Sequence, residues 1–61
     1  MSQWKQLPKN LPSNGQTVWI RTIYLIDYPF LATYNTITQT FTDTINQINY
    51  PAFTVYKWKV Q

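Results

Sequence analysis

Cysteine, histidine and glutamate are all missing from this chain of 61 residues. Without cysteine there is no disulfide framework and no thiol nucleophile. Without histidine the commonest metal ligand and the usual proton shuttle near neutral pH are gone. The two side-chain carboxylates, Asp27 and Asp43, are too few for a structural zinc site or a calcium cage. Glycine is nearly missing too: Gly15 stands alone, which removes the glycine-rich loop that cradles phosphates. No apolar run reaches the roughly 20 residues that cross a bilayer as a helix, and the opening MSQWKQLPK has no hydrophobic segment of signal-peptide type. These absences lead us to expect a non-enzymatic protein with no cofactor and no metal. We also expect it to have no membrane association and not to be secreted through a signal peptide.

What is present is aromatic mass: three Trp, five Tyr and three Phe, each able to bury about 150–250 Å². A domain of this size buries only about 60% of the surface its unfolded chain exposes, and its core supplies roughly 3–5 kcal/mol of net stability. An aromatic-rich core, or a partner covering one face, is the expected reinforcement. The net charge of +3 comes from Lys5, Lys9, Arg21, Lys57 and Lys59 with no cationic run. Threonine, asparagine and glutamine supply most of the remaining polarity, a surface suited to packing among neighbours. The β-branched and aromatic content argues for a fold and against disorder.

The pattern along the chain is all-β. QTVWIRTIYLI (residues 16–26) reads as a first long strand. Alternation puts Val18, Ile20 and Thr22 on one face, and Trp19, Arg21 and Ile23 on the other. Asp27 and Pro29 break it. FLATYN (residues 30–35) and QTFT (residues 39–42) form a hairpin with Phe30, Ala32 and Tyr34 sharing a face and Phe41 inward. Residues 43–52 read as an irregular loop or one helical turn, with Asp43 or Thr44 as its cap. In FTVYKWKV (residues 53–60), Tyr56, Trp58 and Val60 fall on one side and Val55, Lys57 and Lys59 on the other. Trp4, Phe30, Tyr34, Phe41 and Trp58 are the expected core aromatics. We expect a small antiparallel barrel or curled sheet of SH3-like size over residues 16–61. An extended, proline-rich arm over residues 1–15 precedes it. In that arm Pro8 and Pro12 keep the backbone extended, Gly15 takes a positive φ in a turn, and Trp4 is brought against the body to cover an edge.

Trp4, Leu11, Pro12, Gly15, Gln16 and Val18 give the pattern W-x6-L-P-x2-G-Q-x-V, followed by Ala32-x-Tyr34, Phe41 and a C-terminal aromatic strand reaching Trp58. Over nearly its whole length the chain thereby resembles short phage- and prophage-encoded proteins of unknown function. It departs from them at its end, closing on KWKVQ where such proteins carry a proline-rich W-x-P-like segment. The resemblance implies a viral origin, a small β fold and residence in a virion or the host cytoplasm. It implies no activity.

Asp27 and Asp43 stand where aspartate opens turns or caps backbone, and nothing pairs them across a cleft as glycoside hydrolysis requires. The aromatics in excess of a core, Trp19, Tyr24, Tyr28 and Tyr50, are residue types that dominate protein interfaces. Trp19 with Arg21, and Lys57 with Lys59, would share one surface if the first and last strands are neighbours. Such a surface stacks single-stranded bases, although alternating terminal lysines also protect a sheet edge. The leading expectation is a phage structural or assembly component of the decoration, plug or connector type. It would pack against another structural protein or against copies of itself. A small nucleic-acid-binding protein acting during infection, or a binder of a host protein, is the alternative.

Overall fold

The structure, a computed structural model, describes residues 4–7, 9–24 and 28–61. The expectations for Pro8 and Asp27 fall outside the described residues. Six strands are described: β1 (Lys5–Gln6), β2 (Thr17–Thr22), β3 (Phe30–Asn35), β4 (Thr40–Asp43), β5 (Asn49–Pro51) and β6 (Val55–Val60). They form one antiparallel sheet in the order β1-β6-β2-β3-β4-β5. In a flat sheet of that order β5 and β6 would lie four spacings apart, about 19 Å at about 4.8 Å each. A single 3-10 turn, Ala52–Thr54, joins them directly, so the sheet curls strongly. It does not close into a barrel, which corrects that half of the expectation. The end strands are a two-residue β1 and a β5 that finishes on Pro51, and a proline offers no N–H for a further ladder.

The concave face holds the core. Val18, Ile20 and Thr22 of β2 are fully buried, as the alternation predicts, and meet buried Ala32, Tyr34, Phe41, Val55 and Trp58. Tyr34 and Phe41 face each other across β3 and β4, with ring centroids 4.7 Å apart. Phe30 packs on the margin of this cluster together with Leu7, Tyr50 and Ala52. Trp4 is not a core residue: it lies half-buried over the Arg21 guanidinium.

Two strands depart from simple alternation. The first strand stops at Thr22 rather than Ile26; Ile23 and Tyr24 form an exposed bend, anchored by the Ile23 N–H donating to the Thr54 carbonyl at 2.9 Å. Along β6 the pairing Arg21↔Lys57 is followed by Thr22↔Val55, so Tyr56 is an extra residue. A bulge of this kind re-aims the residues beyond it. Val55, expected beside the lysines, is turned back into the core at 3% exposure.

The hairpin of β3 and β4 forms as expected, with β4 starting at Thr40 rather than Gln39. Residues 43–52, expected to be an irregular loop or one helical turn, contain β5 and the first residue of the 3-10 turn, which takes Phe53 and Thr54 from the expected last strand. The two loops flanking β4 share a sequence pattern, Asn35-Thr-Ile-Thr-Gln39 and Asp43-Thr-Ile-Asn-Gln47. In the first, Asn35 Oδ1 accepts from the N–H groups of Ile37 (2.9 Å) and Thr38 (3.2 Å). In the second, Asp43 Oδ1 accepts from Ile45 (2.8 Å) and Asn46 (3.3 Å). Both loops end on a glutamine with positive φ, 54° at Gln39 and 58° at Gln47.

The arm is not extended throughout, since the Asn10 N–H donates to the Gln6 carbonyl at 3.0 Å. Gly15 has φ 80°; its N–H donates to the Tyr34 carbonyl at 2.8 Å, and the Tyr34 N–H returns a bond to Gln16 at 3.0 Å. Further up, β1 covers the edge of β6, with Lys5 opposite Trp58 and Gln6 opposite Lys57. The Trp58 indole N–H donates to the Asn10 carbonyl at 2.9 Å, across 48 residues of chain, and Pro12 is buried.

Candidate functional site

Sheet registry decides which of the candidate residues meet. β2 and β6 are neighbours, and on their convex face Trp19 lies opposite Lys59 and Arg21 opposite Lys57. The four residues therefore form one surface, the condition on which the sequence reading depended. Like charges directly opposite one another disfavour a sheet pair, so the Arg21–Lys57 apposition is not an arrangement the fold would choose for its own stability. Trp4 completes the patch. Its ring centroid is 4.9 Å from the Arg21 guanidinium carbon and 5.0 Å from the Lys59 ammonium, within cation–π range of both. Lys57 lies 6.0 Å from the Tyr56 ring, while Lys5, paired with Trp58 on the core side of β6, stands 5.3 Å over that indole. The sequence pattern places Trp4 in the core; two residues before Gln6, which pairs with Lys57, it shares Gln6's parity and so comes to the convex side.

The remaining candidates lie elsewhere. Tyr24 and Tyr28 are exposed where β2 ends and before β3 begins. Tyr50 is on the concave side of β5, opposite Phe41 and 5.3 Å from the Phe30 ring. The other half of the convex face, over β3 to β5, is uncharged. There Thr17 and Thr33 share a hydroxyl hydrogen bond of 2.9 Å, and the Thr42 hydroxyl donates to Asn49 Oδ1 at 2.6 Å.

Asp43 projects to the concave side, at 7% exposure, and is the one side-chain carboxylate among the described residues. The Ile45 N–H, chiefly, and then the Asn46 backbone and side chain hold its carboxyl below the ordinary aspartate range, against an opposing push from burial. Its oxygens organise the β4–β5 loop.

A second feature lies where the sheet fails to close. A groove of about 590 Å³ runs between the arm (Leu7, Leu11) and the β5–β6 connection (Pro51, Ala52, Phe53), floored by Tyr34 and Val55. No charged side chain lines it. Phe53 stands at its rim, 86% exposed. The sequence reading missed this site, because its two walls are distant in sequence and meet only through the curl. Comparison with protein-family models, curated proteins and solved structures yields no match.

Proposed function

We propose that this chain is a non-catalytic docking protein, and that the groove at the open seam receives an apolar segment of a protein partner. The observation that supports this reading is the groove itself: uncharged, apolar and framed by the two unpaired ends of the sheet. Phe53, on the 3-10 turn, is well placed as the anchor, since buried aromatic side chains dominate the energetics of such contacts. Leu11, more than half exposed, faces it from the arm. On the resemblance of the opening motif we place the protein in a phage particle, as a decoration, plug or connector subunit. In such a role threonine and asparagine supply adaptable hydrogen bonds around the apolar contact.

Mass spectrometry of particles released by the strain encoding the chain tests both parts. Many copies per particle are expected, and Phe53→Glu is expected to leave the purified domain folded by circular dichroism while excluding it from particles. A chain abundant in infected cells but missing from particles overturns the virion setting. A Phe53→Glu protein that still incorporates overturns the groove as the docking site.

A further inference from the structure

The convex face of β6 and β2 presents a different chemistry from the groove, and it points to a different ligand. Three cations, Arg21, Lys57 and Lys59, converge there through strand registry. Two indoles, Trp4 and Trp19, lie among them, and the described carboxylate, Asp43, belongs to the concave side. We propose that this face binds single-stranded nucleic acid, the lysines and Arg21 tracking the phosphates and the indoles stacking bases.

Charge complementarity selects an anionic ligand, and the interleaving selects among anions. Cations alone would suit any polyanion. Each of Arg21, Lys57 and Lys59 has an aromatic ring within 6.0 Å of its charge, the combination by which phosphates and flat bases are held together. Duplex DNA hides its base faces and would use only the charges. Backbone spacing fits as well: cross-strand neighbours lie about 5 Å apart and same-face residues along a strand about 7 Å. That range spans the separation of successive phosphates in a single strand. Trp4 rests on Arg21 and Lys59 in the free protein. A base entering between the two cations exchanges places with, or stacks upon, that ring.

Fluorescence anisotropy with a labelled thymidine oligonucleotide of about 16 residues tests this, with the same sequence as a duplex and with polyglutamate as competitors. Three phosphate contacts on a single strand predict a log–log salt slope of about −2, hence roughly twenty-fold weaker binding between 50 and 200 mM salt. Trp19→Ala is expected to weaken binding at least about fivefold with the salt slope unchanged. Lys57→Gln with Lys59→Gln is expected to flatten the slope to about −0.7. Should Trp19→Ala fail to fold, quenching of the wild-type tryptophan fluorescence by the oligonucleotide reports the same stacking. Absence of binding at 50 mM salt, equal affinity for polyglutamate, or preference for the duplex with no tryptophan quenching each overturns the proposal. Phe53→Glu is expected to bind the oligonucleotide as wild type does, so failure of the groove and failure of this face are distinguishable.

Discussion

Asp43 and Asn35 occupy the same place in two loops of the same pattern, and only one of them titrates. Backbone N–H groups aimed at Asp43 favour its ionised form, so its pKa in the folded protein lies below the unfolded value of about 3.9. The stabilisation it contributes is therefore complete above that value and is lost as the pH falls through the folded pKa. Urea unfolding followed against pH should show this loss below about pH 4. Asp43→Asn, which copies the Asn35 arrangement, should keep the loop and flatten the profile, whereas Asp43→Ala should lose about 1–2 kcal/mol at neutral pH. The positive-φ residues permit a similar comparison. A Cβ at Gly15 meets nothing within 4 Å, so Gly15→Ala should cost only the backbone penalty of about 1–2 kcal/mol. Gln39, at φ 54°, already bears that penalty, and Gln39→Gly should raise the urea midpoint. Gly15 was legible in the sequence because glycine is the residue such a turn favours. Gln39 and Gln47 were not, since glutamine has no special claim on that conformation and only the paired Asx loops explain it.

At the scale of elements, strands that carry their own alternation of β-branched and aromatic residues were the readable ones. β2, β3 and β4 follow strict alternation, and their inward residues are those the period of two selects. Val55 was misplaced because parity along β6 is broken at Tyr56, and the bulge exists only relative to Arg21 and Thr22 on another strand. β5 escaped notice because Asn49, Tyr50 and Pro51 carry no strand signature of their own; pairing with Thr40, Phe41 and Thr42 makes them one. In the arm the turn at Gly15 was readable, but the fastening was not. That fastening is the bond from the Trp58 indole to the Asn10 carbonyl, supported by the Leu7 N–H donating to Tyr56 at 3.2 Å. Trp58→Phe removes the indole donor while keeping an aromatic ring, and should cost about 1–2 kcal/mol. Hydrogen exchange should locate the effect: the Leu7 and Asn10 amides should exchange faster in the variant, while Ile20 and Phe41 keep their protection relative to global stability.

At the scale of the whole molecule, a curled but unclosed sheet has more apolar surface than its interior uses. Ile37, Ile45 and Phe53 are 87%, 83% and 86% exposed, in a chain with only a small core to hold it together. Of the two candidate surfaces, the convex patch was legible only on a condition and the groove not at all, for the same physical reason. The convex patch requires the last strand to lie beside β2, and the groove requires the arm to meet the β5–β6 connection; both are long-range outcomes of the curl. If the exposed residues serve contacts outside the chain, stability should be indifferent to them and concentrated instead in the core. Ile37→Ser, Ile45→Ser and Phe53→Ser should each change unfolding free energy by no more than about 0.5 kcal/mol, the usual range for surface changes. Phe41→Ala should remove about 3–5 kcal/mol, as much as a core of this size supplies, and leave the chain unfolded at 25 °C. Circular dichroism in urea separates the two classes. A large loss at Phe53 would make the groove rim part of the folding core, and the apolar surface would then be needed by the fold itself rather than kept for a partner.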